Sequence, residues 1–164
     1  MTDEQVRYEQ EGRVVRLVLN RPQYRNAQSR ILIEQLDAGY ARAAADDSVG
    51  AIVLMGEGDS FSAGHDLGTS EELADKEARP MAEGLRGRYR RSWDMNIDPT
   101  MRWRNIPKPT ICAIHGYCIF AGWIISSASD VIFAADEAAF EPVSYTHLRA
   151  HETKANLVCR LLLE

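Results

Sequence analysis

The run VGAIVLM, residues 49–55, constrains this chain more than any other stretch. It is apolar throughout, with no polar alternation. That pattern belongs to a strand covered on both faces, the usual condition of a parallel strand. An earlier run, VVRLVL at 14–19, is rich in β-branched residues and Leu and reads as another strand. Between them NRPQYRNAQ breaks the extended pattern, and from Ser29 the period becomes helical. Leu32, Leu36, Tyr40 and Ala43 then share one face. Strand, helix and strand at this spacing make a βαβ unit. TICAI (110–114) and DVIFAA (130–135) add two more strands, so the expected class is α/β. With 164 residues, 45% of them hydrophobic, the chain can bury one domain-sized core.

The segment after Leu67 is polar for some distance. Met81, Leu85, Tyr89 and Trp93 recur every four residues, which predicts one helix with those side chains inward. Its other faces carry Arg86, Arg88, Arg90 and Arg91, either a solvated face or a site for phosphates. Asp98 and Pro99 fit the N-cap and first turn of a further short helix. IPKP is a stiff connector, HGYCIFAG reads as a turn, and WIISSAS opens a helix. The net charge of -5 gives no electrostatic support for a nucleic-acid partner. No apolar run approaches the roughly 20 residues of a membrane span, and MTDEQVRYEQEGR is unlike a secretory signal. A cytoplasmic location is expected, with neither nucleic acid nor membrane as partner. Cys112, Cys118 and Cys159 show no metal-ligand spacing, and the first two sit in apolar surroundings that suit buried, reduced thiols.

Two places share one design: a buried strand, a loop of small residues, and a helix start. One is MGEGDSFSAGHDL and the other AIHGYCIFAGW. Small residues let a ligand approach the backbone, and helix starts present unpaired N–H groups. Two such loops could aim two donors at one oxygen, an oxyanion hole in which each donor is worth about 10²–10³ in rate. A competing reading takes GDSFS as the nucleophile elbow of a serine hydrolase, with Ser60 as nucleophile. Ser62 stands where that elbow needs its final glycine.

LNRPQYRNAQ, GEGDSFSAGHDL and IPKPTICAIHGYCIFAGWIISSASDVIFAADEAAF occur in the order found in the crotonase superfamily, the enoyl-CoA hydratases and isomerases. The chain resembles that family over most of residues 6–142. The resemblance implies a crotonase-like spiral of ββα units, here truncated, assembled in the parent protein as a homotrimer or dimer of trimers. It implies an acyl-CoA thioester as substrate, as in fatty acid metabolism. No cofactor is implied beyond the coenzyme A that the substrate carries, and no metal. Matched by position, the two backbone donors are the N–H groups of His65 and Ala121. Ala121 is the middle of Phe120-Ala121-Gly122, where the family has three glycines. Arg25, Ala27, Ala63, Gly64, Asp66, Leu67 and Gly122 fall on substrate-binding positions. Asp66 is expected to fix its turn by accepting backbone hydrogen bonds. His115 is expected to be structural.

The chain also departs from the family. Its hydratases use two glutamates for the water and its protons, and the first of these positions is Ile124, which transfers no proton. Glu141 does not match the second. With Ile124 there, hydration by another residue, double-bond shift, thioester hydrolysis and decarboxylation stay open. From Val143 the sequence ceases to resemble the family and resembles instead a translated sequencing-library transposase adapter. Residues 1–142 are therefore expected to be the N-terminal portion of a crotonase-like domain and residues 143–164 a non-native tail. His147, His151 and Glu152 lie in that tail in the order H-x-x-x-H-E, not the H-E-x-x-H of a zinc protease. A chain cut short in this way could also be an inactive fragment that binds coenzyme A without turnover.

Overall fold

The computed structural model describes residues 4–141. Strands β1 (Val6–Glu11), β2 (Val14–Leu19), β3 (Ala51–Gly56), β4 (Thr110–Ile114) and β6 (Val131–Ala134) form one sheet in the order β1-β2-β3-β4-β6. β2, β3, β4 and β6 run parallel, and β1 pairs antiparallel with β2 from Val6↔Leu19 to Glu11↔Val14. Helix α1 (Arg30–Ala45) makes the expected crossover from β2 to β3. Ser29 caps it, its side chain accepting from the Leu32 N–H. Leu32, Leu36, Tyr40 and Ala43 are buried with Val15, Leu17, Ile52 and Leu54.

β3 alternates, contrary to the expectation of a strand covered on both faces. Ile52 and Leu54 are buried, whereas Ala51, Val53 and Met55 are half-buried. Only one face is fully covered among the described residues. β1 was not legible as a strand because VRYEQE is polar. It is an edge strand whose charges pair across it, Arg7 with Glu9 and Glu57, and Arg16 with Glu9.

The region after Leu67 holds more helix than its pattern suggests. α2 (Ser70–Ala78) is followed by α3 (Gly84–Ser92), a π-helical turn (Trp93–Ile97) and α4 (Asp98–Arg104), the last three continuous. The four-residue stripe does not face inward. Leu85 is 78% exposed, Tyr89 66% and Trp93 44%. The buried face is instead Gly87 and Met95, since a Cβ at Gly87 would lie 1.6 Å from the Ala82 carbonyl oxygen. Side-chain size, the basis of the periodic reading, misses a face built on close backbone approach. Asp98 is no N-cap: it has helical angles (φ -62, ψ -46) and pairs with Arg102. The helix continues through Pro99, which sits in the first turn of α4 directly after the π turn, where a missing N–H is tolerated. Trp103 of α4 stacks on Tyr40 of α1, centroids 4.9 Å apart, and its Nε1 donates to Asp37 at 2.8 Å.

β5 (Tyr117–Ile119), read from sequence as part of a turn, pairs parallel with β7 (Ala139–Glu141) in a separate two-stranded sheet. Helix α5 (Ala121–Ser126) follows β5 directly. β1, β2 and α1 thus make one ββα unit, and β4, β5 and α5 a second. Cys112 and Cys118 are buried and unbonded. Cys159, the histidines of the tail and all of residues 143–164 lie outside the described residues.

Candidate active site

The loops after β2 and β3 are locked together by a side chain the sequence reading passed over. Asn26 is fully buried at φ 53. Its amide donates to the carbonyls of Glu57 and Ser60, both at 2.8 Å, and accepts from the Arg21 N–H at 2.8 Å. Two residues on, Gln28 and His65 form an isolated parallel bridge. The Gln28 N–H donates to Gly64 at 2.7 Å, and the Asp66 N–H to Gln28 at 3.0 Å. With residues 64 and 66 turned toward Gln28, the N–H of His65 points the opposite way.

The second loop meets the first at backbone level. Ser62 N–H donates to Tyr117 and Ile119 N–H to Ser62, each at 2.9 Å. A Cβ at Gly64, whose φ is 93, would lie 2.9 Å from the Ile119 oxygen and 3.7 Å from the Ala121 nitrogen. A Cβ at Gly122 would lie 3.0 Å from the Ser62 oxygen. Ala121 is the first residue of α5, so its N–H has no acceptor within the helix. Among the described residues neither the His65 N–H nor the Ala121 N–H meets an acceptor. Phe120 takes φ 39, ψ -90 just before α5, a strained setting for a residue with a side chain.

Asp66 anchors the first loop. Its Oδ1 accepts from the N–H groups of Gly68 (3.0 Å) and Thr69 (2.8 Å), and its Oδ2 from the Thr69 hydroxyl (2.6 Å) and Arg21 (3.0 Å). Burial alone would raise its pKa. The hydrogen bonds from Thr69, Gly68 and Arg21 outweigh that and hold the carboxyl below its ordinary value. Arg21 is itself buried and reaches the Ala27 carbonyl and Glu71 as well. A lone Arg before Pro22 gave no signal of this in the sequence. Thr69 also caps α2.

The remaining candidates fall around these loops. The His65 ring meets Phe120 edge-on at 5.4 Å, and burial followed by nearby Arg91 lowers its pKa. A cavity of about 350 Å³ opens beside His65, Asp66 and Leu67, bounded by α2, α3 and the π turn. Leu67 is 91% exposed at its edge. Ala63 is half-buried and donates to the Arg25 carbonyl at 2.8 Å. Arg25 is exposed, its guanidinium over the Tyr117 ring at 5.6 Å, and Ala27 is half-buried. Ile124 lies half-buried on α5, one turn past Phe120. Ser60 is buried and donates to Asp59 at 2.9 Å, while Nε2 of His115 is engaged with the Gly58 carbonyl at 2.9 Å. No serine–histidine pair forms there among the described residues. Burial pushes the Cys118 thiol up to about 11, and Cys112 also well up. No group of three metal-ligating side chains occurs among the described residues.

Residues 9–145 match the family model described as enoyl-CoA hydratase/isomerase. The putative enoyl-CoA hydratase EchA13 of Mycobacterium tuberculosis is 35% identical over 158 residues, covering 88% of this chain and 50% of its own. 4-Chlorobenzoyl coenzyme A dehalogenase-1 of an Arthrobacter species is 37% identical over 144 residues, 86% of this chain and 49% of its own. The crystal structure of a probable enoyl-CoA hydratase from Mycobacterium smegmatis superposes with a TM-score of 0.75 at 38% identity, covering 85% of this chain and 53% of that one. The chain thus spans about half the length of the relatives it matches. No helix among the described residues is long and apolar enough to cross a membrane. The fold, the order of the loops and the match over residues 9–145 agree: this chain belongs to the enoyl-CoA hydratase/isomerase family.

Proposed function

We propose that this chain binds an acyl-CoA thioester and polarises its carbonyl with the backbone N–H groups of His65 and Ala121. The observation that carries the reading is the meeting of the two loops. Gly64 and Ala121 approach at backbone distance, and the two N–H groups beside that contact have no acceptor among the described residues. Such donors cost nothing to reorganise as charge develops on a thioester oxygen, which makes them suited to holding an enolate. His65 supplies its main chain. Its imidazole is turned against Phe120 and stays neutral near pH 7. Arg25 and Ala27 flank the nucleotide end of coenzyme A, and Ala63, Gly64, Leu67 and Gly122 border the path of the pantetheine. Asp66 serves this path at one remove, since its oxygens already hold four donors. No metal is needed for this chemistry, and coenzyme A enters as part of the substrate.

Ile124 narrows the reaction. An aliphatic side chain on α5 moves no proton, so addition of water by a glutamate at that place is closed. A chain that binds the thioester without turning it over is the second reading, favoured by Ile124. Isothermal titration of butyryl-CoA into His65→Ala tests the main reading. The N–H survives this substitution, so the Kd should stay within about threefold of the parent's, well short of the tenfold that 1.4 kcal/mol brings. Loss of binding in a variant that still folds overturns it.

A further inference from the structure

The cavity beside His65 has a composition unlike that of a hydrocarbon slot. Among the described residues that line it, only Leu67 and Met95 are apolar. Lys76, Arg88 and Arg91 bring three cations to its wall. The carboxylates nearby do not balance them. Asp66 is paired with Arg21 at 3.0 Å. Glu72, buried behind the wall, shares one oxygen between Arg91 at 2.9 Å and Lys76 at 3.2 Å, and its other oxygen accepts from the Arg30 N–H at 3.2 Å. Arg88 has no carboxylate partner among the described residues. It lies exposed on α3 at the cavity wall.

Gln28 adds a second, independent observation. It is 2% exposed, and its Oε1 is buried with no donor among the described residues. The amide cannot simply be reversed. Its Nε2 donates to the Ser62 hydroxyl at 3.1 Å, and that hydroxyl already donates to the Asn26 carbonyl at 2.9 Å. Oε1 needs a donor, which neither a bare alkyl chain nor an ionised carboxylate supplies, so a water must donate to it. A chain ending in a carboxylate would carry such water into the cavity and set an anion against Arg88, whereas a bare alkyl chain would bring neither.

We propose that the cavity takes an acyl group ending in a carboxylate, held by Arg88 at the mouth between α2 and α3. This rests on the reading that the chain binds acyl-CoA thioesters. The anion in question is the acyl terminus and not a coenzyme A phosphate, because Arg25, the expected nucleotide contact, is not in the cavity wall. Charge-assisted hydrogen bonds are roughly twice as strong as neutral ones, so even at a partly open site the preference should be about tenfold.

The test titrates the 164-residue chain with three probes by calorimetry: glutaryl-CoA, valeryl-CoA of the same carbon count, and free coenzyme A. Glutaryl-CoA should bind about tenfold more tightly than valeryl-CoA. Arg88→Gln should bring glutaryl-CoA down to the valeryl-CoA level and leave the other two within twofold. Equal affinity for the two thioesters overturns the carboxylate pocket and leaves the thioester reading standing. An Arg88→Gln effect of the same size on all three probes also overturns it, by moving the contact to the nucleotide. If no probe binds, the thioester reading falls and this inference with it. A circular dichroism melt of the variant separates loss of fold from loss of the contact.

Discussion

Asp66→Ala should be one of the most damaging single substitutions in this chain, through stability and not chemistry. Asp66 and Arg21 are each 1% exposed at the side chain and lie 3.0 Å apart. Removing the carboxylate strands a buried guanidinium and frees the N–H groups of Gly68 and Thr69. Breaking a buried pair from one side costs about 3–5 kcal/mol. Arg21 keeps Glu71 at 2.8 Å and the Ala27 carbonyl at 2.5 Å, which places the expected loss near the lower bound, about 3 kcal/mol. Asp66→Asn retains an acceptor for the two N–H groups and should lose less, about 1.5–3 kcal/mol. Urea unfolding at neutral pH, followed by circular dichroism, measures both. The same carboxyl sets a pH dependence. Its folded pKa lies below the ordinary 3.8, so its contribution is present above that value and lost as pH falls through the folded pKa. The alanine variant should lack that acid limb. A loss under about 1 kcal/mol, or an unchanged acid limb, refutes the account of this pair.

Gly64→Ala places a Cβ 2.9 Å from the Ile119 oxygen at a φ of 93, so urea unfolding should show a loss of about 1–3 kcal/mol, with acyl-CoA binding cut more than tenfold. Phe120→Gly relieves the backbone at φ 39 but gives up the ring contact with His65, and its unfolding free energy should stay within about 1 kcal/mol of the parent's. The His65 imidazole should titrate below 6.5 by proton NMR, burial and then Arg91 disfavouring the charged ring; because the folded pKa is lowered, its effect on stability is complete above 6.5 and erodes as pH falls through the folded value. Ala121→Pro deletes a donor but follows Phe120 at ψ -90, outside the range open to residues before proline, and should lose stability along with binding in the same two assays.

What the sequence shows depends on which physical signal a residue carries. The parallel strands and α1 were readable because burial of Val15, Leu17, Leu36, Ile52 and Leu54 imposes periodicity. β1 was hidden because an edge strand satisfies itself with Arg7, Glu9 and Glu57 instead of apolar side chains. The stripe Leu85, Tyr89, Trp93 misled because Gly87, with no side chain to count, is what packs inward. At the candidate site, Gly64, His65 and Ala121 were assigned by motif position, and the fold brings the loops that carry them to backbone distance. Asn26, Gln28 and Arg21 were not found. Each acts through partners far along the chain, as Arg21 does with Asp66 and Asn26 with Ser60, and no local pattern marks such a pairing.

The central claim is that main-chain donors, not the imidazole, grip the thioester oxygen. Amide NMR of the ¹⁵N-labelled 164-residue chain, titrated with acetoacetyl-CoA, tests it most directly. The account predicts that the amide protons of His65 and Ala121 move downfield together and saturate with the ligand, in the parent and in His65→Ala alike. Saturable shifts at Arg25 and Ala63 with the amides of residues 65 and 121 unmoved would contradict it.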